Sequence, residues 1–340
     1  MWSIAWPLDA ARSECDNDGM PDKPAPLKPT LIRGRLLLVL AAAMWSTSGF
    51  FAKAPFFDNW PIVVDGYAVR GPVLAFWRAL FASLVLLPLV RRPRWTPRLI
   101  PAVLIFAAMN VTYLSAMTQT TAANAIWLQN TAPVWVFLVS ACWWGEKVQG
   151  RDLLLLVFAV TGVGLILCFE LQGQSLPGVI YGLLGGITYA GVVLSLRWLR
   201  DEDPAWLIAL NHIVTAAILL PYVAQQDAWP SVNQTFFLCA FGMLQMGIPY
   251  WLFARAVQSV SSQEAAGIVL LEPLLVPIWV YLAWRHSPGY EVPAWWTIVG
   301  GALILAGLLI RFAVGRNDKP NERDERRTSN AERPTPNAGS

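Results

Sequence analysis

Charge is scarce in this chain. Only 14% of its 340 residues are Asp, Glu, Lys or Arg, against about 25% in a typical soluble domain. The shortage is also uneven: residues 1–35 and 313–340 hold 21 of the 47 charged side chains, leaving 26 for the 277 residues between. An aqueous fold of that size needs more surface charge, so a soluble globular enzyme is excluded. Histidine occurs only twice, and no G-x-x-x-x-G-K-[ST] segment exists to cradle a nucleotide phosphate, so ATP does not drive the protein. Cys15, Cys142, Cys168 and Cys239 show no paired or metal-like spacing. The last three fall in apolar runs, where cysteine serves as a small packing residue. Neither zinc nor haem nor an iron–sulfur cluster is implied, and no cofactor is expected. The net charge of +3 is not gathered into a basic stripe, which excludes nucleic acid as a partner. The opening stretch MWSIAWPLDAARSECDND lacks the basic head of a signal peptide, and Met20 is an alternative start to Met1.

What is abundant is apolar residues, 56% of the chain. A helix crossing the hydrocarbon core needs roughly 17–25 of them in succession. Such runs occur at Leu36–Ala52, Val73–Val90, Leu99–Met117, Ala122–Trp144 and Leu153–Phe169. Five more follow at Leu176–Leu196, Ala205–Val223, Phe236–Phe253, Ala265–Trp284 and Val292–Ile310. Lipid offers backbone groups no hydrogen-bond partners and the runs are too long for barrel strands, so they are helices. The expectation is an all-α integral membrane protein with ten transmembrane helices.

Orientation follows from lysine and arginine, which favour the cytoplasmic side. With a cytoplasmic N-terminus, 21 basic residues lie inside and only Lys53, Arg70 and Arg285 outside, with Arg78 within a helix. The opposite orientation reverses the ratio, so both termini are placed in the cytoplasm of a multi-pass plasma (inner) membrane protein. Residues 1–35 and 313–340 are rich in Pro, Asp, Glu, Arg, Asn and Ser, and read as disordered tails. Phe56, Phe57 and Trp60, in the longest external connection, read as an interfacial anchor.

The chain also repeats itself at an offset of about 140 residues. SAMTQTTAANAIWLQNTAPVWVFL (115–138) aligns with FARAVQSVSSQEAAGIVLLEPLLVPI (253–278), pairing Ala116 with Ala256, Ala125 with Ala265 and Pro133 with Pro273. TGVGLILCF (161–169) resembles VGGALILAG (299–307), and MWSTSGFFAK (44–53) loosely matches TYAGVVLSLR (188–197). Each half, 36–170 and 175–312, therefore holds five helices. Five is odd, so the second half enters the membrane upside-down relative to the first. Inverted repeats of this kind are a transporter signature, with the substrate near mid-membrane between the halves.

Over residues 34–312 the chain resembles the drug/metabolite transporter superfamily, EamA-like branch. The resemblance rests on MWS in the first run, FWRALFA in the second, AANAIWLQNTAPVWVFLVSACWWGE across the fourth, GGITYA in the sixth, VLLEPLLVPIWVYL in the ninth and GGALILAGL in the tenth. One departure is visible: Gly145-Glu146 ends the fourth run, whereas the ninth ends on Arg285-His286. The resemblance implies a ten-helix permease moving small metabolites or drug-like compounds by alternating access.

Charge inside the bilayer costs about 2.5–3.5 kcal/mol on insertion scales, so each instance needs a reason. Three ionisable groups lie well inside their runs: Arg78, His212 and Glu272. Glu272 directly precedes Pro273, whose missing N–H frees a carbonyl near residue 269, and Pro133 repeats the arrangement near Asn130. Arg78 and Glu272 are candidates for substrate or proton binding, or for a buried ion pair that fixes helix packing. Glu272 and His212 are the proton-coupling candidates. Trp45, Ser46, Asn110, Tyr113, Trp127, Asn130, Tyr189, Gln245 and Tyr250 complete the set of cavity candidates. Gly182, Gly185, Gly186, Gly300, Gly301 and Gly307 read as close helix contacts. The alternative, an integral-membrane transferase, calls for clustered His, Asp or Glu at the surface, and Asp201-Glu202-Asp203 is only a solvated turn. The partners this reading allows are a small-molecule substrate, the lipid bilayer and a second copy of the chain in a homodimer.

Overall fold

Backbone groups in lipid must be satisfied within their own segment, so an apolar run is helical unless proline or side-chain oxygens intervene. The computed structural model describes residues 28–58, 60, 70–90, 93–143, 150–170, 176–199, 202–227, 229–260 and 262–317. Among the described residues, nine helices are long and apolar enough to cross a membrane, and the apolar stretch Trp295–Ile310 of helix Trp295–Asn317 makes the tenth span. The first helix starts at Lys28 and the last continues to Asn317. Residues 28–35 and 313–317, expected in the tails, are thus helical, while 1–27 and 318–340 lie outside the described residues.

Four spans are interrupted. The first divides into Lys28–Trp45 and Ser48–Ala52. The hydroxyls between them take over local carbonyls: Ser46 Oγ donates to Ala43 O (2.7 Å) and Thr47 Oγ1 to Met44 O (2.6 Å). Such back-bonding competes with the helical ladder. The fourth divides into Ala122–Gln129 and Ala132–Trp143, and the ninth into Ser262–Val269 and Leu271–Trp284. These two breaks fall at equivalent positions of the duplication, just ahead of Pro133 and Pro273. The eighth span carries a wide turn at Met243–Gly247, a bulge that marks functional sites in many helices.

The spans pack most fully first on eighth, third on sixth, second on seventh and fifth on tenth, while the fourth lies mainly on the sixth and the ninth on the first. Exchanging the halves turns the first two pairs into each other and each of the next two into itself, and turns the fourth-on-sixth contact into the ninth-on-first one. The fold is therefore all-α, two five-helix repeats related by a pseudo-two-fold axis. Close approach depends on glycine where the fifth and tenth spans cross. A Cβ on Gly300 would sit 2.6 Å from Gly162 O, and one on Gly162 would sit 2.4 Å from Gly300 O. Added side chains at Gly182, Gly186, Gly301 and Gly307 also meet neighbours closer than 3.0 Å, whereas Gly185 is looser, at 3.8 Å.

Near the end of the first span the aromatic residues behave differently from a surface anchor. Phe57 is fully buried, packed on Phe237 and Trp60, and only Phe56 is exposed. Phe57 thus belongs to the core because Phe50, Phe51, Phe237, Phe241 and Trp284 supply a continuous aromatic cluster for it to join. Asp203 caps the seventh helix, accepting from Ala205 N at 2.9 Å, while Asp201 lies outside the described residues. Gly145 and Glu146 lie outside them too.

Candidate functional site

The interrupted helices converge on one cavity of about 60 Å³. Trp45 comes from the first break, Gln129 and Asn130 from the fourth, Gln245 and Met246 from the bulge of the eighth, and Leu270 and Glu272 from the ninth. Unbroken spans complete the wall with Arg78, Met109, Tyr113 and Tyr189, and Ile126, Val269 and Tyr250 fill the remainder. Pro133 and Pro273 cannot donate to the carbonyls four residues earlier, those of Gln129 and Val269. Both of those residues line the cavity, so the breaks create polar backbone where a ligand can use it.

Arg78 is the largest fully buried side chain, 1% exposed. Its Nη2 donates to Asn110 Oδ1 and its Nη1 lies 3.5 Å from Gln245 Oε1, while Nε has no partner. Its guanidinium also stands 5.8 Å from the Tyr113 ring centre and 5.5 Å from that of Phe241, within range of cation–π attraction. Gln245 does two jobs, since its Nε2 also donates to Trp45 O at the first-span break (3.0 Å). Asn110 is held in turn by its Nδ2 donating to Phe106 O (3.0 Å). A polar chain thus runs from the third span through Arg78 to the eighth and first.

Glu272 faces the same cavity from the other repeat, yet no ion pair within 4.0 Å joins it to Arg78. The direct buried pair entertained from sequence is not formed. Amide partners already occupy the guanidinium, and the cavity lies between the two charges. An ion pair does form elsewhere: Arg35 of the first span meets Glu264 of the ninth at 2.5 Å, at one end of the bundle.

Of the candidates named from sequence, Trp45, Arg78, Tyr113, Asn130, Tyr189, Gln245, Tyr250 and Glu272 line the cavity. Ser46, Asn110, Trp127 and His212 stand behind the wall. Ser46 Oγ accepts from Trp279 Nε1 (2.8 Å). Trp127 Nε1 donates to Pro273 O (3.0 Å), linking the two broken helices. His212 is fully buried, its Nδ1 2.8 Å from Ile208 O and its ring against Phe106 and Tyr250. Sequence reading missed Met109, Ile126, Gln129, Met246, Val269 and Leu270. Gln129 and Val269 could have been found from their places four residues before Pro133 and Pro273; the other four are apolar and carry no such signal.

One cation and one carboxylate, supplied by different repeats and walled by three tyrosines and a tryptophan, can bind a small polar molecule. They offer no nucleophile–base pair, and among the described residues no cluster of three His, Cys, Asp or Glu could hold a metal.

Comparison with known proteins agrees. The EamA-like transporter family model matches twice, over residues 32–168 and 176–313. An uncharacterized transporter of Archaeoglobus fulgidus is 27% identical over 82% of this chain and 96% of its own length. The pseudopaline exporter CntI of Pseudomonas aeruginosa is 25% identical over 69% of this chain and 84% of its own length. The S-adenosylmethionine uptake transporter of Rickettsia felis is 22% identical over 69% of this chain and 81% of its own length. Two repeats, ten spans and a cavity at paired helix breaks are one description of the same object: the chain is a multi-pass membrane transporter, not an enzyme, and belongs to the EamA-like transporter family.

Proposed function

We propose that the protein is a secondary-active transporter that carries a small metabolite across the plasma membrane by alternating access, with both termini cytoplasmic and Glu272 coupling the movement to protons. The supporting observation is the placement of Arg78 and Glu272: opposite charges from opposite repeats, facing one cavity at helix breaks without touching. A site shared by two halves changes whenever the halves move relative to each other. Glu272 then meets Arg78 and substrate in one arrangement and water in another, and a carboxylate whose surroundings alternate takes up and releases a proton. Trp45, Tyr113, Asn130, Tyr189, Gln245 and Tyr250 are assigned to substrate, with Ser46, Asn110 and Trp127 holding them from behind. His212 does not line the cavity and stands behind Tyr250, so the coupling is assigned to Glu272.

Relatives named for export of pseudopaline and for uptake of S-adenosylmethionine make a metabolite panel the natural assay, with direction read from the experiment. The test is flux in proteoliposomes with and without an imposed pH gradient. In Glu272→Gln, at matched protein density, gradient-driven flux is expected to collapse while substrate exchange at equal pH survives. Wild-type flux with unchanged pH dependence would rule out the coupling role.

A further inference from the structure

A second pocket, of about 160 Å³, opens at the end of the first span away from Lys28. It lies between the halves: Ala52, Lys53, Pro55, Asp58 and Arg70 face Trp284, Ser287 and Glu291 across it. Seven positions of the first span, from Trp45 to Ala52, separate it from the central cavity. In that layer a Cβ on Gly49 would sit 2.7 Å from Val280 Cγ2 and 3.2 Å from Ala122 Cβ, and Ser48 Oγ meets Tyr113 OH at 2.7 Å.

The four charges of this pocket are sorted by depth but not paired. Lys53 and Arg70 are half-buried, whereas Asp58 and Glu291 are exposed at the rim. Lys53 forms no ion pair within 4.0 Å with either carboxylate. Arg70 Nη2 donates to the backbone O of Asp58 (2.9 Å), leaving the Asp58 carboxylate free to face the pocket beside Gly289. Burial pulls the Lys53 ammonium down to about 8, against the opposing pull of Glu291, with Arg70 lowering it and Asp58 raising it by lesser amounts. A desolvated ammonium without a partner is costly, and an incoming carboxylate would relieve that cost.

We infer that this pocket is a second ligand site, an outer station that takes the zwitterionic head of a small amino-acid-like molecule, its carboxylate on Lys53 and Arg70 and its ammonium between Asp58 and Glu291. A simple anion would gain the floor but meet the acidic rim, and a simple cation the reverse; a molecule carrying both charges satisfies both layers. The inference goes beyond the transport reading, because it requires binding at this pocket and not flux.

The test is protection of Lys53. Purified protein in nanodiscs is pulsed with a trace of acetic anhydride, far below the probe concentration. Lys53 acetylation is read by peptide mass spectrometry as its ratio to acetylation of Lys23 and Lys319 in the same sample, so that reagent consumed by the amine of a probe cancels. The probes are L-leucine, its deaminated analogue 4-methylpentanoate and its decarboxylated analogue isopentylamine. L-Leucine is expected to slow Lys53 acetylation with saturation, and both analogues to leave it near the unprotected rate. Combined Asp58→Asn and Glu291→Gln substitutions, which leave the lysine in place, should abolish protection in protein that still elutes as a single species. Glu272→Gln should retain it, which separates this site from the central one. Equal protection by 4-methylpentanoate, no protection by L-leucine, or loss of protection in Glu272→Gln would each overturn the inference.

Discussion

The indole of Trp127 donates to the carbonyl oxygen of Pro273 at 3.0 Å, and this one bond ties the two equivalent broken helices together. Pro277, four residues further on, has no N–H to give that carbonyl, so the ninth helix cannot satisfy it internally. The bond therefore repairs a defect that proline creates. Trp127→Phe, which keeps a ring but removes the donor, should lower stability by about 1–2 kcal/mol. Thermal unfolding in nanodiscs checks this, and an unchanged midpoint would mean that Pro273 O finds another donor.

The back of the same ring rests on the tenth span. A Cβ at Gly301 would lie 1.9 Å from Trp127 Cε3, closer than any real contact. Gly301→Ala should cost about 1–3 kcal/mol by overpacking. The penalty should shrink in a Trp127→Leu background, because contacting residues do not act additively. Equal penalties in the two backgrounds would show that the clash is relieved by movement of the helix rather than by the ring.

If the proposed alternating access parts the first and eighth spans at one end and the first and ninth at the other, tying either pair together stops the cycle. A Cβ on Gly34 would sit 2.3 Å from Ser259 Oγ, and one on Gly49 2.7 Å from Val280 Cγ2, so both pairs are near enough to cross-link. In a chain with its four native cysteines replaced by serine, oxidising either Gly34→Cys with Ser259→Cys or Gly49→Cys with Val280→Cys should stop flux. Reductant should restore it. Full flux through a completely cross-linked pair would mean that its end of the bundle does not open.

Lys53 gives a pH dependence with a definite sign. Its folded value of about 8 lies below the ordinary 10.5, so between those values the unfolded chain binds more protons and stability rises with pH. The cost of burying the ammonium is complete below about 8, where both states are protonated, and is relieved as pH climbs toward 10.5. Lys53→Met should therefore stabilise the protein most at neutral pH, with the gain fading in alkaline buffer. A gain that is constant with pH would assign it to packing alone.

Much of this was legible along the chain. Ten apolar runs, two copies of one pattern, and prolines at matching places foretell the spans, the pseudo-symmetry and the broken fourth and ninth helices. Arg78 and Glu272 stand out because a charge in hydrocarbon is costly wherever its helix points. The interruption after Trp45 and the bulge around Gln245 are different. Serine and threonine at 46 and 47 are compatible with an intact helix, and only the Gln245 amide reaching Trp45 O makes the interruption part of the site. The second pocket was invisible for a similar reason: Lys53 and Glu291 are 238 positions apart in the chain and meet only when the halves close on each other.

Sequence alone determined the medium, the number of crossings, the duplication and the positions of costly groups, because each of these is a property of one segment against lipid. Tertiary structure alone decided which polar groups meet: that Arg78 rests on Asn110 and Gln245 rather than on Glu272, that Trp127 serves Pro273 rather than the cavity, and that Phe57 is core. In water, a helix announces its inner face by burying apolar residues there. In a bilayer both faces are apolar, so the direction each side chain takes is set only when the helices pack.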